Sequence, residues 1–151
     1  MEMKQGRCKK YKKYKQNNGD VNMNYEETLK DMEKTLGMVP GFMKALPEDV
    51  IIQEWPLFKT YNFEETKIPA KYRELMGLAV AANIKCPYCE LFHKGAAQMN
   101  GATEEEMAET VFLASYTARW SAIIHAQHYD YQKFKEEFEQ IGEYLQKTMK
   151  K

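Results

Sequence analysis

The sequence predicts an all-α fold, a compact bundle built around one central helix. Three observations point there. From Asn24 onward apolar residues recur at helical spacing, as with Phe134, Phe138, Ile141 and Leu145 near the end of the chain. Helix start and stop signals repeat: prolines ahead of acidic or apolar stretches, a Thr103/Glu106 capping pair, glycines closing periodic segments. No pair of alternating apolar runs joined by a turn dipeptide reads as a hairpin. No internal repeat is visible.

The 151 residues suit one domain, preceded by a separate segment. Residues 1–22 carry seven Lys or Arg and two acids and have no helical periodicity, so they read as a solvated basic tail. Cys8 belongs to this tail as an incidental exposed thiol, and residues 23–151 form the helical domain. Net charge is zero overall, but the part after the tail keeps 15 basic and 20 acidic residues. A mildly acidic body argues against a nucleic-acid surface. Three cysteines cannot make a disulfide framework. The longest apolar run, at 75–82, falls far short of the roughly 20 residues of a membrane span. A cytoplasmic protein is expected, and in a reducing compartment a close cysteine pair points to redox or metal chemistry rather than a permanent crosslink.

The elements follow in order. A short amphipathic helix is expected over 25–36, closed by Gly37, which tolerates the left-handed cap. Val39-Pro40-Gly41 is a turn, and a short helix covers 42–46. Pro47 suits the first position of the next helix, with Glu48 and Asp49 in its first turn. That helix carries Val50, Ile51, Trp55 and Phe58, and Pro56 is expected to kink or break it. Pro69 opens the central helix over 69–84, apolar all round and therefore expected to be buried. A helix over 87–101 ends at Gly101, and the capping box at Thr103 starts another. A break is expected at 119–121, with Ser121 as a new cap and a last helix over 122–147.

The chemistry is concentrated in Cys86-Pro87-Tyr88-Cys89-Glu90-Leu91-Phe92-His93. With Pro87 as first helical residue, Cys86 is the N-cap and Cys89 lies in the first turn. Unpaired N–H groups and the positive end of the helix dipole there favour thiolate over thiol. Residues three and four apart share a face, so Cys86, Cys89 and His93 lie on one stripe. One thiol can attack an oxidant, the other can close the disulfide, and the imidazole can move their protons. No bound cofactor is required. The competing reading is a non-enzymatic oligomerisation module with a structural or zinc-binding Cys/His site, completed by His93 or by His125 and His128.

Together with Ile68-Pro69-Ala70-Lys71-Tyr72-Arg73-Glu74-Leu75 and Leu78-Ala79-Val80-Ala81, the stretch Cys86-x-x-Cys89-x-x-x-His93 resembles the carboxymuconolactone decarboxylase superfamily, in its alkylhydroperoxidase D-like branch. The likeness extends from about Leu36 to about His125. It implies a helical fold that assembles as a homo-oligomer, a trimer or a hexamer. It also implies a proton relay of Glu74 and His93, with Cys89 attacking and Cys86 resolving. The expected activity is reduction of disulfides or hydroperoxides, with a thiol or lipoyl group as electron donor, no nucleic acid and no membrane. Tyr88 stands where some hydroperoxidase members carry a histidine. As an accessory residue it can donate a hydrogen bond but does not titrate near neutral pH. The decarboxylases that name the superfamily lack the cysteine pair.

Overall fold

The computed structural model describes residues 23–149. The expectation of a basic tail over 1–22 with Cys8 lies outside the described residues. Among those residues there are seven helices and no strand, as the all-α reading expects. The chain divides into two compact units, one ending at Glu64 and the other beginning at Glu65.

The first unit holds α1 (Tyr25–Leu36), α2 (Gly41–Lys44) and α3 (Glu48–Phe63). Asn24 caps α1 in a reciprocal capping box with Glu27, and Gly37 closes it at φ 78°. Pro47 is the N-cap of α3, one position earlier than its expected place inside the helix. Met32, Ile51 and Trp55 pack as a core with Met43. Trp55 is fully buried, and its indole N–H donates to Asp31 at 2.8 Å. Lys59 reaches the same carboxylate, also at 2.8 Å. Burial pushes the Asp31 carboxyl up, but the hydrogen bonds from Lys59 and Trp55 more than offset this and hold it below the usual value.

Of the kink or break expected at Pro56, the break is absent, and α3 runs through the proline as one helix. Proline deletes one helical hydrogen bond, a local loss. Burial of Ile51 and Trp55 on one face holds the helix to the core across that gap.

The second unit holds α4 (Ala70–Ile84), α5 (Pro87–Met99), α6 (Glu104–Ala126) and α7 (Tyr131–Thr148). Helix α4 packs against both α5 and α6. Leu78, Ala97 and Met107 meet at the centre, with Leu75 and Ala102 against them. A Lys71–Glu106 ion pair of 2.6 Å adds a polar link between α4 and the start of α6. Lys85, in the left-handed region at φ 56°, makes the turn from α4 to α5.

Two expectations for this unit are corrected. Helix α4 is apolar by composition but not buried all round. Glu74, Leu78 and Ala81 share its buried face, while Met76 and Val80 are 53% and 58% exposed. The break expected at 119–121 is absent, and α6 continues to Ala126. That segment contains no Gly or Pro, and a single serine leaves the helical hydrogen bonds intact. The chain turns instead at His128, φ 49°, and Asp130 caps α7. His128 therefore does not share a helix with His125.

Replacing Asp31 with Ala leaves the buried indole N–H without its acceptor and should cost ~1–3 kcal/mol at pH 7. Because the folded Asp31 pKa is depressed, its contribution is present above the unfolded value of about 3.9 and is lost as pH falls through the folded value. Urea unfolding of wild type and Asp31→Ala should therefore differ most at neutral pH and converge in acid.

Candidate active site

The site grows out of the turn between α4 and α5. The backbone N–H of Lys85 closes α4 on the Ala81 carbonyl, and that of Cys86 reaches the same carbonyl at 3.2 Å. This places Cys86 in extended conformation as the N-cap of α5, with Pro87 at the first helical position, as the spacing predicts. The Cys86 sulfur takes the role a serine oxygen usually fills, accepting the Cys89 backbone N–H at 3.3 Å.

The two sulfurs lie 2.7 Å apart as free thiols. The hydrogen bond with the Cys89 thiol, then that from the Cys89 backbone N–H, holds the Cys86 thiol below its ordinary value, and the Tyr88 N–H adds to this. Cys89 moves the other way. Its hydrogen bond to Cys86, partial burial and the adjacent negative charge all push its thiol up. The two thiols are thus displaced in opposite directions, Cys86 toward easier and Cys89 toward harder ionisation. The resemblance implies Cys89 as the attacking thiol and Cys86 as the resolving one. Tyr88 itself is exposed, and its phenol touches neither sulfur among the described hydrogen bonds.

One turn beyond Cys89, His93 meets Glu74 from α4, Nδ1 to Oε2 at 2.8 Å. Glu74 is 2% exposed. A carboxylate so deep in an apolar unit requires a partner, and the imidazole is that partner. With Glu74 as carboxylate, which can only accept, Nδ1 is the donor and Nε2 is the ring nitrogen left open to a proton. The His93 side chain is 26% exposed, so water reaches the ring while the carboxylate is shielded. Phe92 stands edge-on to it at 5.2 Å. Among the described residues no hydrogen bond joins His93 directly to a sulfur.

Glu74 and His93 are thereby brought together across α4 and α5, and Cys86 and Cys89 lie together at the start of α5, one turn before His93. The residue that sequence reading missed is Gly77. It lies one turn after Glu74 on the same face, and the His93 ring occupies the space its Cβ would need. The signal was a lone glycine inside an alanine-rich helical run, where alanine is the better helix former. His125 and His128 line a different cleft, with Tyr129 and Phe134. Among the described residues, no group of three or more His, Cys, Asp or Glu converges as a metal site.

The model of the carboxymuconolactone decarboxylase family matches residues 53–129, just over half the chain and inclusive of all four site residues. "Uncharacterized protein 4 in cox locus" of Paracoccus denitrificans is 30% identical over 64 residues, which is 42% of this chain and 58% of that protein. The chain thus matches less than two thirds of that relative's length. The crystal structure of the alkylhydroperoxidase AhpD core from Rhodospirillum rubrum superposes with a TM-score of 0.61 at 24% identity. That match covers 70% of this chain and 81% of the other. The chain belongs to the carboxymuconolactone decarboxylase family, and its fold is that of the alkylhydroperoxidase D core.

Proposed function

We propose that this chain is a thiol-dependent oxidoreductase in which Cys86 and Cys89 cycle between dithiol and disulfide, with His93 and Glu74 handling the protons. The observation that carries the reading is the sulfur pair at the start of α5, 2.7 Å apart, with the Cys86 thiol held below its ordinary value. A nucleophile and its resolving thiol are already within reach of each other.

With a disulfide substrate, the Cys86 thiolate attacks one sulfur and the other leaves as a thiolate, which takes up a proton. Cys89 then gives its proton to Nε2 of His93, directly or through a water, while Glu74 stabilises the imidazolium. The Cys89 thiolate attacks the Cys86 sulfur of the mixed disulfide and expels the second substrate thiolate, which is protonated in turn. Two electrons have passed: the chain holds a Cys86–Cys89 disulfide and the substrate has become two thiols. With a hydroperoxide, the Cys86 thiolate takes the terminal oxygen and the O–O bond breaks. An alcohol leaves, and the sulfenic acid on Cys86 is resolved by Cys89 with loss of water. A small thiol, a thiol protein or a lipoyl group restores the dithiol by exchange. The buried carboxylate supports this reading, because a histidine bonded through Nδ1 presents a fixed, basic Nε2.

Assembly with further copies of the chain is part of the same proposal. Val80 and Ile84 on α4, Phe112 and Trp120 on α6, and Phe138 and Ile141 on α7 all remain exposed. Apolar surface on this scale exceeds what single scattered residues explain. No helix among the described residues is long and apolar enough to cross a membrane, so a protein partner is the natural cover.

Light scattering should accordingly give a multiple of 17.8 kDa, and a mass of a single chain would sink the assembly. Reduced protein mixed with lipoamide or an organic hydroperoxide, quenched and mapped by mass spectrometry, should acquire a Cys86–Cys89 link. If neither oxidant forms the link, the redox reading is lost; a link formed only by the disulfide makes the chain a disulfide reductase. His93→Gln and Glu74→Gln should each slow link formation at pH 7, by roughly 10²-fold for the loss of an acid–base group. Iodoacetamide should label Cys86 from a lower pH than Cys89. Cys86→Ser should bring Cys89 labelling down in pH, since the thiol that bonds to it and pushes it up is gone; an unmoved profile would refute the coupling of the two thiols.

A further inference from the structure

We propose that Gly77 is a positioning residue for His93: the missing side chain is the slot that seats the imidazole on α4, within reach of Glu74. This deepens the reading above and rests on the Glu74–His93 relay. Glu74 and Gly77 are three residues apart on α4 and share a face. His93 approaches that face from α5 and binds Glu74 at 2.8 Å. A Cβ on residue 77 would fall within 2.6 Å of the ring's Nε2 and closer still to Nδ1 and Cε1. Real Cβ atoms do not come so near, so any side chain larger than hydrogen must displace the ring. The ring cannot step aside and keep its partner, because Nδ1 is tied to a carboxylate that is itself buried and Phe92 stands edge-on to it.

The glycine is not there for the helix. Glycine is a poorer helix former than alanine, and residue 77 is mid-helix with no turn to make. Gly95 in α5 and Gly142 in α7 are also helical, and a Cβ on either would meet nothing within 4 Å. Among these helical glycines, the one whose Cβ has no room is the one beneath the imidazole. Glu74 therefore sets which nitrogen of His93 carries the hydrogen, and Gly77 sets where the ring stands.

The test uses the full chain in reduced form, with Gly77→Ala against the control Gly95→Ala. The first readout is the nuclear magnetic resonance signal of the His93 Nδ1–H, identified by its loss in His93→Gln and its shift in Glu74→Gln. The second is the rate of Cys86–Cys89 link formation with lipoamide. Gly77→Ala should lose the resonance and fall to about the rate of Glu74→Gln. Adding Glu74→Gln to it should change that rate by no more than about two-fold, as expected when two changes break one unit. Gly95→Ala should keep both signal and rate. A Gly77→Ala protein that retains the resonance overturns the proposal whatever its rate. A lost resonance with an unchanged rate, matched by an unchanged rate in Glu74→Gln, overturns the relay instead. Should Gly77→Ala fold poorly, the same change in a His93→Ala background meets the space the ring has left and should raise the urea midpoint. A lowered midpoint there would place the clash elsewhere and overturn the proposal.

Discussion

Glu74 is an acid on the inward face of an apolar helix, and the arrangement of α4 and α5 follows from what it needs. A carboxylate with 2% of its surface in contact with solvent loses nearly all its hydration and must recover it from a protein donor. Within the described residues that donor is His93, and it can reach Glu74 only if α5 lies close along α4 with the imidazole turned inward. Gly77 makes the approach possible, since the imidazole lies where its Cβ would be. The Lys85 turn gives the reversal in a single residue of left-handed backbone. The cysteine pair then falls at the closed end of this helical hairpin, one turn before the histidine.

Much of this was legible in the sequence because the signals are local. Gly37, Pro87 and the Thr103/Glu106 box each act within one helical turn, and each marks the element end where it was expected. The stripe of Cys86, Cys89 and His93 follows from helical periodicity alone. What failed to show depended on contacts distant in sequence. Pro56 reads as a breaker because proline is one locally, yet buried neighbours on α3 carry the helix past it. The run at 75–82 reads as a buried core because composition cannot say how many neighbours a helix has. Glu74 could be singled out only through resemblance, since nothing in its own neighbourhood marks it as buried. The direction of the cysteine pair was illegible for the same kind of reason. How the two thiols are displaced follows from the geometry of their hydrogen bonds rather than from the tetrapeptide.

The outer faces of α4, α6 and α7 give the family assignment physical content. Rings at Phe112, Tyr116 and Trp120 run along α6 in contact with one another, at 5.8 and 6.1 Å, and remain partly open to solvent. Helix α7 buries none of its residues among those described, although Phe134, Phe138, Ile141 and Leu145 form a continuous apolar stripe. Such a helix draws little stability from its own chain, and its amphipathic pattern becomes favourable only when something covers it. On the assembly proposed above, α7 is held chiefly by intermolecular contacts.

The capping bond at Cys86 bears on how any substitution there should be interpreted. The sulfur caps the start of α5 and, on the function proposed above, also carries the reactive electron pair, so different replacements at position 86 separate two roles differently. Alanine removes the acceptor of the Cys89 N–H along with the thiol, and a loss of activity would mix missing chemistry with a frayed first turn. Serine removes the sulfur and keeps an acceptor in the same place. Aspartate keeps both an acceptor and a fixed negative charge at the positive end of α5, and so mimics the thiolate's electrostatics without its nucleophilicity. Read as a series, the three would resolve one atom into its structural, electrostatic and chemical parts.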